Sequence, residues 1–100
     1  MVEFKFRTKA TLNGDMSLIL PRLWLGSILA AQKPALLSQK GITHVVSLGV
    51  GSMNLPPGTH NAFWKIEDAD EQQIRPILDQ TVPYIHEALQ DPQAQVLVHW

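Results

Sequence analysis

Ile42-Thr43-His44-Val45-Val46-Ser47-Leu48 limits the possible folds more than any other stretch of the chain. It is rich in β-branched residues and nearly continuous in apolar character. An alternating pattern would leave one face of a strand to water. An almost unbroken run belongs to a strand covered on both faces, as in a parallel sheet. Gln95-Val96-Leu97-Val98-His99 reads the same way. Parallel strands cannot be joined by tight turns, so helices must lie between them.

The intervening sequence supplies those helices. Pro34 to Lys40 reads as a helix, with Pro34 in its first turn and Gly41 as its stop. Ile74, Ile77, Leu78, Val82, Ile85, Ala88 and Leu89 follow the helical period in a second one. Asp70 and Gln73 have capping-box spacing at its start. Pro76 is read as its true first turn, Pro83 as a kink, and Asp91-Pro92 as its end. Leu18 to Gly26 reads as two short strands around a Pro21-Arg22 turn. Ser27 is placed to cap a helical turn through Ala31. Gly49 to His60 holds three Gly and two Pro and reads as loop. Asn61 to Ile66 reads as a short strand, and Glu67 to Glu71 as an acidic loop. Residues 1–15 read as a poorly ordered lead-in, with turn chemistry at Asn13-Gly14-Asp15. The order is strand, strand, helix, strand, strand, helix, strand. That is an α/β fold with a mostly parallel central sheet flanked by helices. The last strand is apolar enough to be central, and ligands of such sheets sit beyond the C-terminal strand ends.

Composition narrows the function. One hundred residues with 45% apolar and 17% charged side chains fit one small globular domain. A net charge of −1 gives no reason to expect nucleic-acid or anionic-membrane binding. No apolar run approaches the length of a membrane span, and the start lacks the apolar core of a signal peptide. There is no cysteine, hence no disulfide and no thiolate metal site. His44, His60 and His86 lack metal-ligand spacing; His44 reads as flanking a strand and His86 as facing solvent. Ser47 and Ser52 lack the neighbours of a nucleophile elbow, and no P-loop or HExxH motif occurs. Trp24 and Trp64 read as core aromatics.

Four segments taken in order resemble the dual-specificity phosphatases of the protein-tyrosine phosphatase superfamily. Ile19-Leu20-Pro21-Arg22-Leu23-Trp24-Leu25-Gly26-Ser27 is similar to the family's opening strand pair. Leu36 through Leu48 is similar to its first helix and following strand. Ile66-Glu67-Asp68, with Ile74 to Leu89, resembles its general-acid loop and helix. Val96-Leu97-Val98-His99 resembles the strand that enters the phosphate loop. On this resemblance residues 16–100 are a partial catalytic domain, the N-terminal part of that fold without its C-terminal helices.

The resemblance implies a chemistry. A cysteine thiolate attacks the phosphorus of a phosphotyrosine or phosphoserine/threonine ester on a phosphoprotein. Loop amides and an Arg fork hold the phosphate oxygens. An Asp protonates the leaving oxygen and then activates water. No metal or other cofactor takes part. Asp68 occupies the general-acid position, with Asp70 as the helix cap. Read without the resemblance, Glu67, Asp68, Asp70 and Glu71 are a solvated acidic loop. Trp100 occupies the position of the nucleophilic Cys. The family's His at position 99 braces the phosphate loop; with no such loop in the 100 residues, His99 is read as a frayed chain-end histidine. The expectation is a truncated, catalytically inactive partial phosphatase of the cytoplasm or nucleus, its oligomeric state open. A non-catalytic, pseudophosphatase-like interaction domain is the alternative. An intron interrupting a Cys codon after TG, read through, would give Trp and then stop. The isolated chain is also expected to be marginal or aggregation-prone.

Overall fold

A computed structural model of the chain describes residues 16–49, 55–65 and 71–99, of which 71–75 are described as backbone only. Five strands form one sheet in the order β1-β2-β5-β3-β4. β1 is Met16–Leu20 and β2 is Leu23–Gly26, paired antiparallel. β3 is His44–Leu48, β4 is His60–Trp64 and β5 is Val96–His99. All pairings except β1–β2 are parallel. The late strand β5 lies in the middle, between β2 and β3, as its apolar character predicts.

Among the described residues, three helices cover the sheet. α1 is Ile28–Ala31, α2 is Pro34–Gln39 and α3 is Glu71–Ala88. α1 starts where Ser27, in an extended conformation, accepts the Leu29 amide through its side chain. α2 has Pro34 at its first position and ends before Gly41, whose φ of 70° only glycine adopts at little cost. Side chains alternate across the sheet and divide the core in two. Met16, Ala30, Ala31, Leu37, Ile42, Val45 and Leu97 pack on the α1–α2 face. Leu23, Leu25, Val46, Leu48, Val96 and Val98 pack on the other, under Ile77, Tyr84, Ile85, Ala88 and Leu89. Crossovers between parallel strands are right-handed. The chain moves from β2 past β5 to β3, then returns from β4 to β5, so its helices fall on opposite faces.

Several expectations need correction. Glu71 is helical, and α3 begins five residues before Pro76 rather than at it. Pro76 and Pro83 are seven residues apart, two helical turns, and both are exposed. Each removes one N–H from the helix ladder, and water on the exposed face can satisfy the carbonyl left over. Leu78 and Val82 face solvent, while Thr81 is buried with its hydroxyl donated to the Ile77 carbonyl at 2.7 Å. His60 opens β4 instead of closing the loop. Trp24 and Trp64 do pack against the two core clusters, from half-buried positions, each with its indole N–H bonded to a glutamine, Gln95 and Gln80 respectively. Residues 1–15, 66–70 and Trp100 lie outside the described residues, and with them the lead-in, the acidic loop up to Asp70, and Ile66. Among the described residues no helix is long and apolar enough to cross a membrane.

Arg22 fastens the first turn to the far end of the fold. Its φ is 66°, a left-handed conformation costing a residue with a Cβ about 1–2 kcal/mol. Its guanidinium donates to the Asp91 carbonyl at 2.7 Å, the Leu89 carbonyl at 3.0 Å and the Ala94 carbonyl at 3.4 Å. A cation on carbonyls just past a helix C-terminus also complements its dipole. Its own carbonyl accepts the Val96 amide at 2.9 Å, at the start of β5. Arg22→Ala is expected to cost about 1.5–3 kcal/mol, the range for hydrogen bonds to charged groups. A urea midpoint shift with unchanged slope would report it; a midpoint within error of the parent would contradict the clamp.

Candidate functional site

The parallel strands end together at Gly26, Leu48, Trp64 and His99, which is the sheet edge where an open α/β fold presents a ligand. His99 lies on β5 in register with Gly26 on one side and Ser47 on the other. It is fully buried. The reading of His99 as a frayed chain end is therefore wrong. β5 is hydrogen-bonded between two neighbours, and the alternation that buries Leu97 on the α1–α2 face buries His99 there as well.

Its environment is polar at one place. His99 Nε2 lies 2.7 Å from the Ser47 hydroxyl oxygen. Asn61, on the edge strand β4, donates its side-chain amide to that oxygen at 3.0 Å and to the Val45 carbonyl at 2.9 Å. Three adjacent strands thus contribute one side chain each to a single network. Ser47 is completely buried, and the partners explain how a hydroxyl is tolerated there. Sequence reasoning considered Ser47 only as a nucleophile and did not single out Asn61. The available signal was a serine inside an otherwise apolar run, because a buried hydroxyl demands partners.

Close packing brings α1 down onto this edge. A Cβ on Gly26 would meet Ala30 Cβ and Leu97 Cδ1, both at 3.2 Å. After β3 the chain turns at Gly49, whose φ is 85° and whose amide donates to the Trp64 carbonyl at 2.8 Å. The segments that continue from β4 and β5 carry Asp68 and Trp100. Both of these residues lie outside the described residues.

The opposite sheet edge holds a second cluster. His44 and His60 are register partners, and their rings stack with centroids 4.8 Å apart. With Tyr84, Glu87 and Ala88 they line a groove of about 350 Å³. His86, as expected, is exposed. Burial, and then the neighbouring His60 charge, push the His44 pKa below its ordinary 6.5, with Asp91 acting in the opposite sense. Burial also raises the Tyr84 phenol. Among the described residues no three His, Cys, Asp or Glu side chains come together to hold a metal ion.

The depressed His44 value has a stability consequence. Above 6.5 the residue is neutral in both states and contributes nothing to the pH dependence. Below that pH the unfolded chain takes up a proton that the folded chain resists, so stability falls as pH drops. The window runs from 6.5 down through the lowered folded value. His60 and Tyr84 touch the ring, Glu87 lines the same groove and Asp91 acts from further off. The expected result is a melting temperature that falls across this window, with a shallower fall in His44→Gln. Parallel curves for the two proteins would show that His44 contributes nothing to it.

No family model matches the chain. It is 34% identical over 102 residues to dual specificity protein phosphatase 13B of Mus musculus, over 93% of this chain and 50% of that protein. The protein of that name from Homo sapiens is 35% identical over 103 residues, with the same coverage. The crystal structure of DUSP15 matches with a TM-score of 0.73 and 25% identity, over 84% of this chain and 53% of that one. The chain therefore spans about half the length of the curated relatives it matches.

Proposed function

We propose that this chain, dual-specificity phosphatase-like in sequence and in fold, forms the strand-framed half of a phosphate-ester hydrolase site. The observation that carries the reading is the position of β5. It is the central parallel strand, and it brings the buried His99 to the sheet edge where such folds bind ligands; on this reading the next residue is the nucleophile position. Residue 100 is that position, occupied here by Trp100. Asp68 is the general acid, on the segment that follows β4. Residues 16–100 are the partial domain.

The roles follow from the chemistry of the ester. A thiolate at position 100 would displace the alcohol of a phosphotyrosine or phosphoserine/threonine side chain, forming a phosphocysteine. Asp68 would give its proton to the departing oxygen, then take one from the water that hydrolyses the phosphocysteine. Backbone amides of the following loop would carry the charge on the phosphoryl oxygens. The substrates on this reading are phosphoproteins of the cytoplasm or nucleus. A polypeptide of these 100 residues holds no cysteine, so by itself it forms no thiolate intermediate.

The test is a pair of purified proteins assayed with a small aryl phosphate. The 100-residue chain is expected to show no vanadate-sensitive turnover. A chimera is expected to show it, built of residues 1–99, a cysteine in place of Trp100, and the C-terminal half of dual specificity protein phosphatase 13B. A folded chimera without activity would reject the reading.

A further inference from the structure

We infer that the outer edge of β4 and the groove beside it bind an extended segment of a partner polypeptide, with a Lys or Arg side chain of that segment seated against His44, His60, Tyr84 and Glu87. Two observations point there. The first is a strand edge. Among the described residues β4 lies last in the sheet and pairs only with β3. Its outward N–H and C=O groups can take another strand. His60–Trp64 contains no proline and no lysine, the residues that commonly blunt such edges. Side chains of an added strand alternate between the two faces of the sheet, so every second one falls on the face that carries α3. On the other face Phe63 is exposed and gives the added strand an apolar neighbour.

The second observation is the charge of the groove on the α3 face. His44 and His60 are stacked, and the Tyr84 ring stands edge-on to His44 at 70°, with centroids 6.4 Å apart. Ala88 and Glu87 complete the lining of about 350 Å³. No Lys or Arg lines it, and Glu87 is its one carboxylate. The other carboxylate felt by His44 is Asp91. Arg22 reaches the Asp91 backbone, but its guanidinium is held by three carbonyls. Aromatic rings beside a carboxylate suit an organic cation: the ring faces attract it and the carboxylate accepts its N–H. The same carboxylates repel an anion. Each attraction is weak at an exposed site, so a free amine is held poorly. A cation carried on a strand that pairs with β4 adds main-chain hydrogen bonds, which is why the occupant is a polypeptide. The inference does not depend on the function proposed above, and its test reads binding alone.

The experiment uses the full 100-residue chain labelled with ¹⁵N, observed by NMR at a pH above 6.5. The probes are a blocked peptide Thr-Val-Arg-Val-Thr, the same peptide with Glu in place of Arg, and arginine amide. The Arg peptide is expected to give saturable shifts at the His44 and His60 rings and at the β4 amides. The Glu peptide should give none. Glu87→Gln, at an exposed position of α3, should weaken the Arg peptide about two- to fivefold, the usual range for an exposed charge pair. His60, Tyr84, Glu87 and Asp91 are the titratable groups around His44. Binding should also weaken as pH falls below 6.5 and the imidazoles gain charge. No saturable shift with the Arg peptide, equal or tighter binding of the Glu peptide, or an affinity that rises on acidification would overturn the inference. Arginine amide bound as tightly as the peptide would remove the strand pairing and leave a site for small amines. Broadening of the β4 amides that grows with protein concentration, without peptide, would place a second copy of the chain on the edge and overturn the inference likewise.

Discussion

Asp68→Asn in the chimera is expected to lower turnover of an ester with a poor leaving group about 10²–10⁴-fold, the usual loss when a general acid is removed. Asp70→Asn is expected to have little effect. The two residues are close in sequence, so the comparison separates position from charge. In sequence Asp68 follows the last residue of β4, Trp64, by four positions, while Asp70 directly precedes α3, which begins at Glu71. A lost cap costs about 1 kcal/mol of stability and moves no proton. The Asp68 effect should shrink for aryl phosphates whose leaving oxygen needs no proton. Equal losses at both positions would mean that the acid has been assigned to the wrong residue.

Leu97→Ala carries the largest expected effect on stability. Leu97 is fully buried in the middle of β5 and belongs to the α1–α2 core with Val45 and Met16. Its Cδ1 also packs at the site where Gly26 lets α1 approach. Deleting most of such a side chain costs about 2–5 kcal/mol, because the transfer energy is lost and the cavity closes only partly. A domain of this size has about 5–15 kcal/mol in total. Leu97→Ala should therefore lower the melting temperature by about 8–40 °C, at about 4–8 °C per kcal/mol. Val82→Ala, at an exposed position of α3, should leave the melt nearly unchanged. Similar losses at the two positions would contradict the core assignment.

The centre of the sheet was legible because β3 and β5 are buried on both faces and say so. Ile42–Leu48 and Gln95–His99 carry no alternation, and a central parallel strand is the one place such runs fit. The turn at Pro21-Arg22, the Ser27 cap and the Gly41 stop were legible for local reasons, since each solves a backbone problem within a few residues. The phase of α3 was less so. A stripe through Leu78 and Val82 and one through Thr81, Tyr84 and Ile85 both fit the helical period. Burial of Thr81 depends on a back-bond to Ile77 that hydropathy does not register. The start of α3 at Glu71 agrees with the Asp70–Gln73 spacing and not with Pro76, because proline is an ambiguous mark. It opens helices, and it also survives inside them when its face is wet. The polar network at His99 was hidden because its members are dispersed along the chain. Ser47, Asn61 and His99 become neighbours only through strand pairing, and nothing local to Asn61 distinguishes it from a loop asparagine.

Central to this account is the claim that the residue after His99 stands at the phosphorus. Mass-spectrometric mapping of the acid-quenched chimera tests it most directly. The Asp68→Asn chimera is best suited, because loss of the group that activates water should let the phosphoryl-enzyme accumulate. It is incubated with an aryl phosphate, quenched and digested. The account predicts a single phosphorylated peptide, with the phosphoryl group on the cysteine at position 100 and none when that cysteine is replaced by serine. Turnover without phosphorylation there, or a phosphoryl group on any other side chain, would contradict it.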